Sequence, residues 1–221
     1  MKIMIIGGTG RVGSDLVKQF RKNTDDEITI AARHPEEIKI VDTVEERPKI
    51  KTLKFSIVDM TVEQMADTMK GFDAIYFTAG SGGHNVVLVD SYGAIKTMQA
   101  AEEAGVKRYI MLSSAFALQP AQWEGKKHYA KLQDYQAAKF MADHWLIHDT
   151  DLNYTILQPG SLLETPGTGE VTFNDDQPGS NSINDVSQVL FDVLDNKHAF
   201  DKVIIMHSGD MSIETALNNL K

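Results

Sequence analysis

The sequence predicts an α/β fold, a doubly wound parallel sheet, and two observations predict it. Short apolar runs of strand length alternate with longer stretches of helical periodicity along all 221 residues, and the first junction between the two, at residues 6–13, is rich in glycine. A strand buried on both faces reads as a continuous apolar run, and its parallel neighbour is reached only through a crossover, usually a helix. Strands are expected at residues 2–6, 27–32, 53–58, 74–78, 108–112 and 153–157, with a seventh at 202–206; each is short, carries isoleucine, valine or aromatic residues and is bounded by turn residues. Helices are expected at 11–22, 62–69, 86–104, 133–148 and 183–194, with Gly71 and Gly105 as stops after two of them. Residues 34–50, with Pro35, Pro48 and a charged run at 45–47, read as a surface connection.

The size suits one domain over residues 1–221 with a substantial core. Residues 160–183 change character, with Pro166, Gly167, Gly169, Pro178 and Gly179 in quick succession. They read as a loop lobe after the sixth strand, where it would wall a substrate pocket, since ligands of open parallel sheets bind outside the carboxyl ends of the strands. A net charge of -9 argues against a nucleic-acid surface, which needs a concentrated basic field. No apolar stretch approaches the ~20 residues of a membrane span, and residues 1–6 read as a strand rather than a leader. The absence of cysteine excludes disulfides, thiolate metal sites and a cysteine nucleophile, and suits a reducing cytoplasm. The expectation is therefore a cytoplasmic monomer or small homo-oligomer whose partner is a small molecule, not nucleic acid or membrane.

Gly7, Gly10 and Gly13 give a G-x-x-G-x-x-G spacing directly after an apolar strand and at the start of a helical run. That context marks a dinucleotide-binding turn of the Rossmann type. Gly7 permits the tight turn, Gly10 lets the backbone approach a pyrophosphate, and Gly13 allows close helix-on-strand packing. Thr9, Arg11 and Val12 complete the turn, whose unpaired helix-start amides face the anion. After the second strand an NAD site would carry Asp or Glu; this chain reads Ala31, Ala32, Arg33, His34. Arg33 can pair a 2′-phosphate and stack on adenine, so NADP(H) is expected over NAD(H), with His34 as a possible assistant. Asp59 is a candidate for the adenine amino group, or else a helix cap before Thr61. Thr78, Ala79 and Gly80 would let the cofactor pass close to the backbone.

Tyr135 and Lys139 form a Y-x-x-x-K pair, which a helix places on one face. A phenol is a poor acid-base group at neutral pH, and a nearby ammonium favours its phenolate; the same lysine can anchor a ribose. Ser113 and Ser114 follow the fifth strand, where a hydroxyl can hold a substrate carbonyl beside the tyrosine. Ser114 is preferred for that role and Ser113 for the cofactor side. Taken alone the Y-x-x-x-K pattern is more readily an ordinary helix pair, with a buried ring and a snorkelling lysine; the glycine turn and the paired serines reverse that reading.

The segments 5–17 (IIGGTGRVGSDLV), 31–37 (AARHPEE), 89–114 (VDSYGAIKTMQAAEEAGVKRYIMLSS), 135–143 (YQAAKFMAD) and 154–162 (YTILQPGSL) together resemble the short-chain dehydrogenase/reductase superfamily. The likeness is to its atypical NAD(P)H-binding group, which takes in NAD(P)-dependent epimerases and dehydratases. The resemblance implies Ser114, Tyr135 and Lys139 as active-site members and puts Asp90 where ordinary members carry asparagine. It also puts Gln158 where relatives often have arginine, and Pro159 and Gly160 beside the nicotinamide. The leading reading is an NADP-dependent oxidoreductase of a small carbonyl or alcohol. An epimerase or dehydratase that recycles its nucleotide, and a non-catalytic NADP(H)-binding redox sensor, stand as alternatives. No metal is expected: His144 and His148 are one helical turn apart but lack the H-E-x-x-H glutamate.

Overall fold

The computed structural model describes residues 1–38 and 50–220. In chain order the strands are β1 (Lys2–Ile6), β2 (Glu27–Ala32), β3 (Ile50–Lys54), β4 (Ala74–Phe77), β5 (Arg108–Leu112), β6 (Asn153–Pro159), β7 (Ser161–Leu163), β8 (Glu170–Phe173), β9 (Ser180–Ser182), β10 (Lys202–Ser208) and β11 (Met211–Ser212). The α-helices are α1 (Arg11–Asn23), α2 (Val62–Met69), α3 (Tyr92–Glu103), α4 (Pro120–Trp123), α5 (Gln133–His148), α6 (Ile183–Asp192) and α7 (Ile213–Asn218). Nine strands form one sheet in the order β11-β8-β10-β6-β5-β4-β1-β2-β3, and β7 pairs β9 in a separate ribbon. From β3 to β10 every pairing is parallel; only β8, against β10 and β11, runs antiparallel.

The apolar strand runs are explained by burial on both faces. In β1, Ile3 and Ile5 join one core with Val12, Leu16 and Phe20 of α1 and Val186, Val189 and Leu190 of α6. Met4 and Ile6 join the other, with Met65 and Met69 of α2, Met98 of α3 and Leu146 of α5. Each such aliphatic side chain contributes roughly 1.5–3 kcal/mol on burial. The chain starts at β1, winds outward through β2 and β3, and returns to β4 on the other side of β1. This reversal opens a crevice at the carboxyl ends of β1 and β4, the usual ligand position in such sheets.

Several expected boundaries shift. The third strand is Ile50–Lys54 rather than 53–58, so Phe55 to Met60 form the turn beyond its carboxyl end. The turn is tied down by Lys96, whose ammonium donates to the carbonyls of Val58 and Met60. Asp59 is neither strand end nor helix cap: Thr61 caps α2, in a capping box with Gln64. The helix expected at 86–104 opens with a π-helical turn, Val87–Ser91, before α3. Of the connection expected at 34–50, Pro35–Glu37 form a short 3-10 turn, and residues 39–49 lie outside the described residues.

The lobe at 160–183 is more ordered than a loop, supplying β7, β8 and β9. Its far side is latched to β10 by His207, whose Nε2 is 2.9 Å from both carboxylate oxygens of Asp175. Burial works against charge on His207, but the Asp175 carboxylate and the Ser208 carbonyl outweigh it and raise its pKa. The hydrogen bond from His207 lowers the pKa of Asp175. The histidine contribution is therefore complete below its ordinary pKa of 6.5 and lost as pH rises through the raised value. The aspartate contribution is complete above 3.8 and lost as pH falls through the lowered one. Amide exchange across 174–179 is expected to quicken at either end of that window, by the few-fold that a partly exposed pair of about 0.2–1 kcal/mol allows. His207→Gln should abolish the alkaline change, as exchange measured by NMR would register.

Candidate functional site

The glycine turn between β1 and α1 is built by contacts no side chain could share. Gly7 has φ +87, and a Cβ there would lie 2.5 Å from the Ala79 nitrogen. A Cβ on Gly13 would lie 2.3 Å from the Gly7 carbonyl oxygen and 2.6 Å from Thr78 Oγ1. Gly13 thus packs α1 on the turn itself and on the residue after β4. At Gly10 the Cβ direction is nearly open, meeting only the Gly7 carbonyl at 3.3 Å. Gly10 is the N-cap of α1 and gives no side-chain cap, and the first turn carries no acid. The amides of Arg11, Val12 and Gly13 thus have no partner in their own helix and meet no capping side chain, the condition for receiving an anion.

Two clefts meet at this turn. The first, of about 430 Å³, runs over Gly7, Thr9 and Gly10 to Arg33 and is floored by Phe55, Ile57 and Val58. The second, of about 550 Å³, runs past Arg11 and Val12 to Leu132, Tyr135, Lys139 and Leu162. Gly10, Thr78, Ala79 and Gly80 line both, so the two are one groove. Thr78 is buried, its hydroxyl donating to the Ile6 carbonyl at 3.0 Å. Arg33 is exposed at the first end. A shallower recess beside it is lined by Thr9, Arg33, His34 and Glu37. His34 faces Glu36 at 3.4 Å, so part of the acidity near Arg33 is already engaged. Asp59 does not line the groove; it is exposed and accepts from Ser56 Oγ at 2.6 Å.

At the other end α5 brings Tyr135 and Lys139 together, the ammonium lying 5.6 Å from the tyrosine ring centroid and 5.7 Å from that of Phe77. Lys139 is 2% exposed; it donates to the Leu112 carbonyl at 3.1 Å and stands 3.9 Å from Asp90 Oδ1. Asp90, wholly buried in the π-helical turn, accepts from the Ser81 amide at 3.1 Å. It therefore links the loop after β4 to the lysine. Of the two serines, Ser113 is buried and its hydroxyl donates to Asp143 at 2.7 Å. Ser114 is half-buried, and neither serine lines the groove. Pro159 is buried at the end of β6 and does not line it; its carbonyl accepts from the Ala115 amide at 2.9 Å. Gln158 is turned inward, donating to Asp143 at 2.8 Å.

Sequence reasoning missed two groups. Phe55, Ile57 and Val58 were read as strand interior, because a cleft floor and a strand are equally apolar. The second is Asp143, whose spacing of four from Lys139 places it on the same helix face but does not by itself distinguish a buried carboxyl from a solvated one.

Residues 7–197 match the family model described as NAD(P)H-binding. Over 225 residues, with both chains covered in full, the chain is 35% identical to a Bacillus subtilis (strain 168) protein named "Uncharacterized sugar epimerase YhfK". Among solved structures, the oxidoreductase ylbE from Lactococcus lactis superposes with a TM-score of 0.92 at 43% identity, covering 100% of this chain and 96% of that one. A short-chain dehydrogenases/reductase from Veillonella parvula DSM 2008, solved in complex with NADP, shares the fold with a TM-score of 0.76 at 17% identity over 96% of each chain.

Proposed function

We propose, on the premise that this chain belongs to the NAD(P)H-binding family, that it is an NADP(H)-dependent oxidoreductase of the atypical short-chain type, acting on a small carbonyl or alcohol. The observation that carries this reading is the single groove joining Arg33, the glycine turn and the Tyr135–Lys139 pair. The groove fits a dinucleotide: Gly10 leaves room for close approach, and uncapped amides at the start of α1 suit the pyrophosphate. Phe55, Ile57 and Val58 offer an apolar floor for adenine. When bound, the nicotinamide supplies or accepts the hydride.

The chain's own part is to orient and to move a proton. Tyr135 Oη gives the carbonyl oxygen its proton in reduction and removes it in oxidation, and Lys139, held by Leu112 and Asp90, favours the phenolate. Lys139 is also the candidate anchor for a cofactor ribose. Beside the phenol the wall mixes Val86, Leu112, Leu132 and Leu162 with Lys131 and Asp134, which suits a compact substrate that carries polar groups besides its carbonyl. The test is a titration with NADPH and NADH, followed by a carbonyl panel read through nicotinamide absorbance.

Tighter binding of NADPH is the expected result, because Arg33, exposed at that end of the groove, would pair with a 2′-phosphate there. A charge-assisted hydrogen bond is worth about 1.5–3 kcal/mol, so Arg33→Ala should cut the preference by roughly ten- to a hundredfold while leaving NADH affinity nearly unchanged. Equal affinities in the unaltered protein would contradict the assignment. The name carried by the Bacillus subtilis relative favours a second reading, an epimerase that oxidises and re-reduces within one cycle. Turnover of a chiral substrate without net change in nicotinamide absorbance would select it.

A further inference from the structure

On α5, Tyr135, Lys139 and Asp143 follow at four-residue intervals, so one helix face carries a phenol, an ammonium and a carboxyl in line. The phenol lines the groove and the other two lie buried behind it. Asp143 Oδ2 accepts from Ser113 Oγ at 2.7 Å and from Gln158 Nε2 at 2.8 Å. Three elements therefore fix one carboxyl: α5, the chain just past β5, and β6. Its other oxygen, Oδ1, is buried and has no hydrogen-bond partner among the described residues. Leaving a carboxylate oxygen in that state is costly, and the cation that acts on it is Lys139.

We propose that Asp143 is a positioning residue for the Tyr135–Lys139 pair: fixed behind the lysine by Ser113 and Gln158, it sets, by gaining or losing one proton, the charge that the ammonium and the phenol meet. The inference rests on reading Tyr135 as the acid-base group. Lys139 faces Asp143 from its own helix, and Asp90 stands beside Lys139 from the π-helical turn. Ser113 and Gln158 face it from just past β5 and from β6 and carry no charge. Burial pushes the Asp143 carboxyl up to about 6, while Ser113, Gln158 and Lys139 pull it the other way. Ionisation thus adds a negative charge behind Lys139 within the range where the protein is folded, and that charge opposes the Tyr135 phenolate.

The test uses the full chain labelled with ¹³C at tyrosine Cζ and lysine Cε. In the unaltered protein the Tyr135 and Lys139 signals should inflect as Asp143 titrates, between about pH 5 and 7. Asp143→Asn should erase the inflection: its carbonyl can still accept from Ser113 and Gln158, its amide replaces the unpartnered oxygen, and the charge is lost. The kcat profile should lose the matching step, with kcat changed by about tenfold above it, the equivalent of one pKa unit, and KM within about twofold. Ser113→Ala, which removes a donor to the carboxylate, should move the inflection to higher pH by about half a unit to one unit.

An inflection missing from the unaltered protein, unmoved by Ser113→Ala, or persisting in Asp143→Asn overturns the proposal. The spectra need neither nucleotide nor substrate. Failure to bind NADPH would therefore sink the proposed function while the coupling of Asp143 to Lys139 and Tyr135 is still read from the spectra, whereas NADPH binding without coupled titration would overturn this inference alone.

Discussion

Tyr135→Phe is expected to lower kcat by about 10²–10⁴-fold while leaving NADPH affinity within about twofold, because the change deletes one oxygen and nothing that holds the groove. The ring is half-buried in the groove wall, 5.6 Å from the Lys139 ammonium, and phenylalanine keeps that contact. Lys139 stays in place through Leu112 and Asp90, neither of which depends on the phenol. The glycine turn lies at the other side of the groove. Loss of turnover with binding intact would assign the proton to Tyr135 and exclude a non-catalytic redox sensor. Turnover retained within about tenfold would move the acid-base role elsewhere; unaltered cellular behaviour with no substrate found would favour the sensor. Thermal unfolding of the variant checks that the fold is unharmed, and a shift beyond about 0.5 kcal/mol would make the kinetic result uninterpretable.

Lys139→Met separates the two duties given to the lysine. If the ammonium only favours the phenolate, nucleotide affinity should hold while the acid limb of the pH–rate profile moves; if it also anchors a ribose, both change. The same logic explains how an acid is accommodated at Asp90, where the resemblance to short-chain dehydrogenases implies asparagine in ordinary members. Asp90 accepts from the Ser81 amide and faces Lys139 across 3.9 Å, so its charge is paired and its hydrogen bond fixes the loop after β4. Asparagine would keep an acceptor for Ser81 and lose the pairing. The departure is therefore compatible with the lysine's position while altering the charge around it.

Much of the fold was legible in the sequence because its strands are buried on both faces. Ile3 and Ile5 face one helix layer and Met4 and Ile6 the other, so β1 reads as an unbroken apolar run that no surface strand would show. The glycine spacing was legible for the same kind of reason: the backbone approaches at Gly7 and Gly13 leave no volume for a Cβ. Residues 55–58 were not, since their apolar side chains floor a cleft and hydrophobicity does not distinguish a groove wall from a core. The short strands Ser161–Leu163, Glu170–Phe173 and Ser180–Ser182 were hidden by the prolines and glycines between them, which signal turns more strongly than three or four residues signal pairing. Asp143 was hidden because a lone carboxyl on a helix is ordinarily a solvated one, and only the tertiary structure reveals two donors, one just past β5 and one in β6, converging on it.

Arg108→Met is expected to destabilise the protein by about 3–5 kcal/mol, read as a fall in the urea midpoint with little change in slope. The side chain is 7% exposed at the start of β5, and its guanidinium makes hydrogen bonds to two other parts of the chain, residues 153–155 and 193–194. Nε donates to the Leu194 carbonyl at 3.0 Å, one terminal nitrogen to the Asn153 carbonyl at 3.1 Å, and the other to Thr155 Oγ1 at 2.8 Å and to the Val193 carbonyl. Val193 and Leu194 directly follow α6, so the cation satisfies carbonyls at a helix C-terminus and meets the negative end of its dipole. Its plane also faces the Phe200 ring at 4.5 Å. Burial pushes its pKa down to about 10, the mark of a charge with little water around it. Methionine would match much of the stem and leave several buried acceptors without donors, each costing about 1–3 kcal/mol. Arg108→Lys should recover only part of the loss, since a point ammonium cannot reach the four diverging acceptors that a planar fork serves. If both variants unfold at the parent midpoint, the contact between β5 and the end of α6 does not carry the stability assigned to it.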